Sequence, residues 1–396
     1  MLRDGRLDDL NAWLVKGFPC SAVGPFSAAI WQDGCFTPLI GNSNSPYPVA
    51  CLQEPMIGAL FCALVDEGVL SLDDPAGGYL PELFGHSDLV RISHLLSHST
   101  GLWVDKQERG DNTPLAWSDF CELLMPVVPR FPPGRVCAPS LLDRILLLKV
   151  AERAIGQSPY AELTDRFFSS PNTIDLQPPG GSLARSFLEV HSSLAAYADF
   201  LNRATQTSWS DRLAGAMRDI TQAPIVRPWA PVADALGLFR LANGILGQDG
   251  DHPRFGYVGL RLSPSCQTAV IGHFHSSVGR DHVLNRLTSD VMGIPPPPKS
   301  SVLGDLNAFD PMELPGTYQG VWGSQLHIDV KDNQLELSAS REVRPFVAHI
   351  QPDGALTGRW AAPNLWIEPQ SLGCNGLVGF RFAKHLYVKD KNHAHS

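Results

Sequence analysis

Two side chains at the start of an apolar helical segment have the types and the spacing that could do chemistry. In "ACLQEP" (50–55), Cys51 offers a thiol and Glu54 offers a carboxyl group three residues later. Residues at i and i+3 share one face of a helix, so both groups would point into the same site. A thiol can attack an acyl carbon and a carboxyl group can move a proton, so either residue could carry a reaction.

The two groups oppose each other when both are ionised. A carboxylate about 4 Å from a thiolate costs roughly 4 kcal/mol at an effective dielectric constant near 20. The partial positive charge of a helix start stabilises the thiolate by only about 0.3–1 kcal/mol. The sequence therefore predicts two alternatives. Either Glu54 is protonated and Cys51 acts as a nucleophile, or Glu54 is the working acid or base beside a neutral Cys51.

Composition limits the kinds of partner that such a site could serve. The 396 residues include 40 acidic and 31 basic side chains, a formal charge of -9, and the basic residues form no run longer than a pair. This balance argues against a nucleic-acid partner. The eight cysteines form no C-x-x-C pair, which favours neither a zinc site nor a disulfide framework. We expect no metal and no organic cofactor.

The elements that must position these residues can be predicted from hydrophobic periodicity. The stretch "FSAAIWQDGCFTPLIG" (26–41) is typical of a β-hairpin with a tight turn at "QDG". Apolar residues at helical spacing predict helices over 54–68, 140–156 and 189–204. Extended runs return in "RFGYVGLRLSPSCQTAVIGHFHSS" (254–277). The first part of the chain therefore mixes a sheet with helices.

A proline run in "GIPPPPKSSVLGD" (293–305) separates this part from a second one of short alternating strands. We predict a first domain over 1–300, a linker over 301–310 and a small all-β domain over 311–396. The start of the chain has charges throughout and no apolar core typical of a signal peptide, and no apolar stretch reaches the about 20 residues that span a bilayer. We expect a cytoplasmic protein without a membrane partner.

Four further stretches of the sequence are "ALVDEGVLSLDDPAGGYLPE" (63–82), "VRISHLLSHSTGL" (90–102), "FPPG" (131–134) and "HSSLAAYADFLNRA" (191–204). Together they resemble the β-lactamase-like serine hydrolases, the group that includes class C β-lactamases, DD-peptidases, related esterases and some acyltransferases. The resemblance implies an α+β fold in which an antiparallel sheet is packed with helices. The segment beginning "ELPGTYQG" (313–320) is similar to the lipocalin-like β-domain of many members, which implies a small antiparallel barrel.

The resemblance also implies where the family's three motifs would fall. S-x-x-K falls on Cys51 to Glu54, and Y-x-N falls on Pro139-Ser140-Leu141. The third motif, K-T-G or H-x-G, falls on "GQDGDH" (247–252) or on "GYVG" (256–259), and neither offers a lysine. The usual serine acyl-enzyme mechanism is therefore not expected. The residues that the resemblance places near the pocket as substrate contacts are Ser140, Asp251, His252 and Tyr257.

Three functional hypotheses remain open at this point. In the first, Cys51 forms a thioester during acyl transfer or hydrolysis. In the second, Glu54 moves a proton in an isomerisation, cyclisation or elimination. The third is an inactive pseudoenzyme that keeps the fold for ligand binding or interaction. For the enzymes, the family implies a small acyl, peptide-like or polyketide-like substrate in a biosynthetic pathway, and the oligomeric state is left open.

Two pairs of histidines could suggest other chemistry. His94 and His98 have the four-residue spacing of a metal-binding pair, but the sequence offers no third ligand and the stretch matches a scaffold turn of the family. We therefore predict a structural role for both. His273 and His275 would face the same side of a strand, and we expect that side to be a surface.

Overall fold

The computed structural model describes most of the chain. The described residues are 9–10, 12–15, 26–84, 89–102, 117–124, 129–169, 174–175, 190–220, 236–241, 245–252, 256–263, 265–294, 302–306, 309–320, 325–339, 346–357, 367–371, 378–382 and 385–389. None of the helices within these ranges is long and apolar enough to cross a membrane.

The first part of the molecule is built on an antiparallel sheet of six strands in the order β2-β1-β9-β8-β7-β6. A second, three-stranded sheet has the order β3-β5-β4. The strands are β1 (Ser27–Gln32), β2 (Cys35–Ile40), β3 (Tyr47–Pro48), β4 (Ile174–Asp175), β5 (His191–Ser192), β6 (Phe239–Arg240), β7 (Leu246–His252), β8 (Gly256–Leu262) and β9 (Thr268–Phe274). Together with the helices they confirm the predicted α+β fold.

The predicted hairpin is present and its turn explains the sequence "QDG". Strands β1 and β2 pair in antiparallel register, with Gln32 opposite Cys35. The two residues between them, Asp33 and Gly34, have φ values of 48° and 82°. Two central residues at positive φ define the tight turn that matches the twist of paired strands, and Asp-Gly is a favoured sequence for it.

Helices cover the sheet and fill the space beside it. They are α1 (Gln53–Asp66), α2 (Pro81–Phe84), α3 (Ile92–Leu96), α4 (Trp117–Leu124), α5 (Leu141–Ile155), α6 (Pro159–Phe167), α7 (Leu194–Ala204), α8 (Ser208–Ile220) and α9 (Ser277–Met292). Helix α1 is buried from Gln53 to Leu64, which explains why its sequence is apolar all round. It packs in the main core, whereas α9 packs on the sheet through Val283, Leu284 and Leu287.

Helix ends follow local signals in the sequence. The predicted helix over 140–156 is α5, which is capped by the Ser140 hydroxyl and stopped by Gly156 at a φ of 72°. The predicted helix over 189–204 is shorter. It begins only after Ser193, whose hydroxyl accepts a hydrogen bond from the Ala196 N–H and so caps α7. The preceding residues form β5 instead.

The second part is a closed barrel whose strands have the order β10-β15-β14-β13-β12-β11-β18-β17-β16. Their bounds are β10 (Val302–Asp305), β11 (Gly316–Gly320), β12 (Gln325–Lys331), β13 (Gln334–Ala339), β14 (Phe346–Ile350), β15 (Ala355–Thr357), β16 (Ile367–Ser371), β17 (Val378–Phe382) and β18 (His385–Lys389). Side chains such as Tyr318, Leu337 and Phe380 form its buried core. Strand β10 lies within 301–310, the range predicted as a linker, and it pairs with β15.

A contact between the two parts lies close to the elements that carry the candidate site. Val388 of the barrel packs against Phe131 and Ala138 of the first part. The Ala138 N–H donates to the carbonyl oxygen of His98 at 2.7 Å. The barrel therefore supports the segment that leads into Ser140 and α5.

Gly58 in α1 offers a test of how closely this helix is packed. A Cβ added there would lie 2.2 Å from the Leu236 carbonyl oxygen. Helix propensity alone favours alanine over glycine by about 1 kcal/mol, but overpacking costs about 1–3 kcal/mol. We predict that Gly58→Ala lowers the free energy of unfolding in urea. In the matched control, Gly78→Ala, the added Cβ meets nothing within 4 Å, so stability should be unchanged or slightly raised. A stabilised Gly58→Ala variant would contradict the packing.

Candidate active site

Cys51 lies on a single turn of 3-10 helix (Ala50–Leu52) that leads directly into α1. Ala50, just before it, has a φ of 44°, a conformation that costs free energy for a residue with a Cβ. The thiol is partly exposed, and Arg144 Nη1 donates to Cys51 Sγ over 3.4 Å. The turn therefore presents a thiol next to a guanidinium.

Glu54 is only 4% exposed, and three polar or basic side chains lie next to its carboxyl group. One oxygen, Oε1, forms an ion pair with Arg144 Nη2. The other, Oε2, accepts a hydrogen bond from Gln248 Nε2 and lies 3.7 Å from His98 Nε2. The Glu54 carboxyl group thus links the start of α1 to Arg144 of α5 and to Gln248 of β7.

Arg144 offsets the repulsion that is predicted from the sequence between an ionised Cys51 and an ionised Glu54. The predicted repulsion between a thiolate and a carboxylate is roughly 4 kcal/mol. A guanidinium in contact with both groups supplies an attraction of similar size to each of them. Both anions can therefore coexist when Arg144 lies between them. Neither a protonated Glu54 nor a neutral Cys51 is required.

A buried pair of Asp143 and His98 lies next to this network. Asp143 Oδ2 is 3.3 Å from His98 Nδ1, and the Thr100 hydroxyl donates to Asp143 Oδ1 at 2.8 Å. Burial raises the pKa of Asp143 above its ordinary value, although the hydrogen bond with His98 opposes this shift. His98 therefore connects two carboxyl groups, Asp143 through one ring nitrogen and Glu54 through the other.

Helix α5 positions Asp143 and Arg144 in its first turn. The Ser140 hydroxyl accepts a hydrogen bond from the Leu142 N–H at 3.0 Å and so fixes the helix start. The Ser140 N–H lies 3.4 Å from His98 Nδ1. Ser140 is 4% exposed, and its hydroxyl oxygen serves the helix cap. The structure thus brings Ser140 to the site as the residue that orients α5.

Strand β7, with the sequence "GQDGDH", passes next to the Cys51 turn. A Cβ added to Gly250 would lie 2.8 Å from the Cys51 backbone nitrogen, so only glycine allows this approach. Gln248, two residues earlier on the same face, donates to Glu54. The alternative segment "GYVG" lies on β8, one strand further from the turn.

The hydrogen-bonding pattern of β7 shows where its peptide groups point. The Leu241 N–H donates to the Ile245 carbonyl oxygen, and Phe239 pairs with Gly247. The peptide groups of Ile245 and Gly247 therefore point to the edge on which β6 lies. Alternate residues of a strand direct their N–H groups to the same edge, so the Asp251 N–H, four residues after Gly247, points to that edge as well. Among the described residues, β6 pairs only with Leu246 and Gly247. The Asp251 N–H therefore lies beyond the end of β6, on the residue that follows Gly250.

The structure does not bring the side chains of Asp251 and Tyr257 together with Cys51 and Glu54. Asp251 Oδ1 accepts a hydrogen bond from Arg280 Nη1 of α9 at 2.8 Å. The Arg280 guanidinium carbon lies 5.8 Å from the centre of the Tyr257 ring. Both side chains thus occupy the face of the sheet that α9 covers. His252 ends β7, and its side chain lies outside the described residues.

Three other histidines considered in the sequence, His94, His273 and His275, have contacts elsewhere in the structure. His94 Nδ1 accepts a hydrogen bond from the Arg91 N–H at the start of α3, and burial lowers the pKa of His94. His273 stacks on Tyr47 with ring centroids 5.1 Å apart, and His275 is exposed. Within the described part of the chain, no three His, Cys, Asp or Glu side chains are grouped so that they could hold a metal ion.

Three residues of the network were missed or assigned differently from the sequence. Arg144 and Gln248 were missed, and His98 was predicted to be structural. Arg144 lies four residues after Ser140, so both share a face of α5, and this spacing could have suggested it. Gln248 is the second residue of the candidate third motif "GQDGDH" (247–252). His98 gave no local signal, because its contacts are with α1 and α5.

The fold and the site define a class of protein: an α+β domain in which a cysteine at the start of a helix faces an antiparallel strand, followed by a β-barrel. A family model described as Beta-lactamase matches residues 38–177. That range contains Cys51, Glu54, His98 and Arg144, whereas β7 lies outside it. The match covers 140 of the 396 residues, and the fold is that of the β-lactamase-like proteins.

Comparison with solved structures supports the same fold. SurE, in a crystal structure with D-Leu, is 18% identical with a TM-score of 0.67, and the match covers 98% of this chain and 100% of SurE. An octameric penicillin-binding protein homologue from Pyrococcus abyssi is 17% identical with a TM-score of 0.53, covering 97% and 100%. A β-lactamase/D-alanine carboxypeptidase from Yersinia pestis is also 17% identical with a TM-score of 0.53. This match covers 72% of the present chain and 99% of the carboxypeptidase. A search of curated proteins found no match.

The contact between Arg144 and Cys51 can be tested by thiol alkylation. A nearby cation increases the thiolate fraction at neutral pH. We predict that Arg144→Met slows alkylation of Cys51 by iodoacetamide about tenfold at pH 7, measured by mass spectrometry of the modified peptide, and that Arg144→Lys restores part of the rate. The matched control is Arg153→Met on the same helix, since Arg153 pairs with Glu82. Equal rates in all four proteins would contradict the role of Arg144.

Proposed function

We propose that this protein is a cysteine-dependent acyl-transfer enzyme. The observation that carries the proposal is the guanidinium of Arg144 in contact with Cys51 Sγ and with the buried Glu54 carboxylate. A thiolate is the reactive form of cysteine and is intrinsically nucleophilic, so it needs no neighbouring lysine base. The Cys51 thiolate attacks the acyl carbon, and the tetrahedral intermediate collapses to a Cys51 thioester as the bond to the alcohol, thiol or amine breaks. That leaving group takes a proton from solvent. The thioester then passes its acyl group to water or to another acceptor, which restores the thiolate.

The peptide groups around Cys51 suit the charge that develops in this reaction. Attack on a carbonyl places a negative charge on its oxygen, and backbone N–H groups stabilise that charge when they are fixed in advance. The N–H groups of Cys51 and Asp251 lie on the two elements that meet at Gly250. We assign them as the oxyanion donors. Glu54 and Gln248 act indirectly in this scheme, because they hold Arg144 and β7 around the turn.

The substrate class in this proposal is a small acyl or peptide-like molecule, with a polyketide-like acyl group as an alternative within the same chemistry. Two of the similar structures involve amino acids: one is SurE in complex with D-Leu, and the other is a β-lactamase/D-alanine carboxypeptidase. Their chemistry supports an acyl donor derived from an amino acid. A biosynthetic role in the cytoplasm, without a nucleic-acid or membrane partner, belongs to the same proposal.

One observation favours a second candidate, proton transfer without a covalent intermediate. His98 lies between Glu54 and Asp143 through its two ring nitrogens, so a proton could move along this row. In that case Glu54 is the acid or base of an isomerisation, cyclisation or elimination. Its ion pair with Arg144 makes Glu54 a weaker base, and we therefore rank acyl transfer first.

The two candidates separate in an acylation experiment. We predict that incubation with a panel of activated acyl esters and thioesters adds the acyl mass to Cys51, seen by intact-protein mass spectrometry and peptide mapping. Cys51→Ala should abolish both the adduct and turnover of the ester. Cys35→Ala serves as the control, since Cys35 is an exposed thiol on β2 far from Arg144 in sequence.

The outcomes of this experiment rank the remaining hypotheses. Full turnover by Cys51→Ala would exclude covalent catalysis, and loss of that turnover in Glu54→Gln would establish the proton-transfer candidate. Binding of the esters without an adduct and without turnover would leave the inactive pseudoenzyme, a ligand-binding or interaction module. An acyl adduct that forms on the parent protein and is absent from Cys51→Ala supports the proposal.

A further inference from the structure

A cluster of charged side chains lies behind β7, on the face opposite the Cys51 turn. Arg280 of α9 is at its centre and is itself 8% exposed. Its guanidinium reaches three carboxylates, with Nη1 2.8 Å from Asp251 Oδ1 and Nε 3.6 Å from Asp249 Oδ1 and 3.0 Å from Asp281 Oδ1. Arg261 of β8 adds a second cation, 2.6 Å from Asp249.

Two of the three carboxylates flank the residue that faces the Cys51 turn. Asp249 and Asp251 lie directly before and after Gly250. Successive side chains on a strand point to opposite faces, so Gly250 faces Cys51 while both aspartates face α9. Arg280 thus holds the chain on both sides of a single glycine.

Gly250 gives the strand a weak point where the site needs a fixed geometry. Glycine is required there, because a Cβ would lie 2.8 Å from the Cys51 nitrogen and 2.8 Å from a Val258 methyl group. Glycine also has the greatest backbone freedom of any residue. On one edge this part of β7 pairs with β8, through Gly250 with Val258 and Asp251 with Tyr257. On the other edge, β6 pairs only with Leu246 and Gly247 among the described residues.

The ion pair between Arg280 and Asp251 adds little to the free energy of unfolding, and its main effect is to restrict the backbone next to Gly250. The Asp251 side chain is 57% exposed, and exposed ion pairs contribute only about 0–1 kcal/mol. Arg280, in contrast, is buried, and its guanidinium lies over the Tyr257 ring. A rigid cation that contacts both flanking carboxylates restricts rotation of the peptide between Gly250 and Asp251.

We propose that Arg280 is a positioning residue that fixes the Gly250–Asp251 peptide, so that the Asp251 N–H stays aimed at the oxyanion formed when Cys51 is acylated. This inference rests on the proposed acyl transfer. Arg280 acts from the far side of the sheet, through Asp249 and Asp251, and does not touch the substrate.

The test compares two reactions of the same thiol. Acylation by an activated ester passes through a tetrahedral oxyanion, whereas alkylation by iodoacetamide does not. Removing one oxyanion donor outright costs about 10²–10³-fold in rate. We predict that Arg280→Met lowers the acylation rate of Cys51 roughly tenfold or more and leaves the alkylation rate unchanged. Arg280→Lys, which keeps one cationic contact, should recover part of the acylation rate.

Two further variants make the result interpretable. Asp251→Asn changes a mostly exposed side chain, so it should fold normally and slow acylation alone, by less than Arg280→Met. Arg286→Met is the matched control on the same helix, since Arg286 pairs with Asp290 at 2.5 Å and lies over Trp13. It should leave both rates unchanged.

The outcomes separate this inference from the proposed function. If the parent protein shows no acylation of Cys51, the proposed function fails and the inference fails with it. If the parent is acylated but Arg280→Met and Asp251→Asn acylate at the parent rate, only the positioning role is wrong. An equal loss in both reactions would show a general disturbance of the turn and would also overturn it. If Arg280→Met does not fold, Asp251→Asn decides between these results.

Discussion

The carboxylate of Glu54 is buried at the start of the central helix, and such a charge must be balanced within the protein. An unpaired carboxylate in this position would cost several kcal/mol. Arg144 supplies the balancing cation from another helix, α5, and this fixes how α5 sits against α1. The same guanidinium then reaches the Cys51 thiol. The geometry of the site therefore follows from a requirement of charge balance.

The cation at this site comes from a different place in the chain than the cation of the S-x-x-K motif. In the S-x-x-K motif the cation comes from the nucleophile's own helix, one turn after the serine. Here the corresponding residue is Glu54, an anion, and the cation comes from Arg144, 93 residues after Cys51. In the proposed acyl transfer, the thiol compensates for the missing lysine, because a thiol ionises more readily than an alcohol. A cysteine in place of the serine and a glutamate in place of the lysine are thus chemically compatible only because Arg144 supplies the cation.

The parts that sequence predicts well are those fixed by local interactions. The β1–β2 turn, the Ser140 cap and the common face of Cys51 and Glu54 all depend on residues a few positions apart. Gln248 and Glu54, in contrast, are 194 residues apart, and no spacing rule connects them. The prediction for Asp251 named the residue beside the pocket but not the direction of its side chain, which strand alternation next to Gly250 would have given.

Strand β7 shows how one short sequence can serve two faces. In "QDGD" (248–251), Gln248 and Gly250 face the Cys51 turn, whereas the two aspartates face α9. The front face requires close approach and hence a glycine. The back face must then supply the rigidity that glycine lacks, and buried charges on a packed helix can do so without entering the pocket. In the proposed mechanism, the chemistry at the front face of β7 depends on the ion pairs behind this strand, and β7 itself lies outside the family match over 38–177.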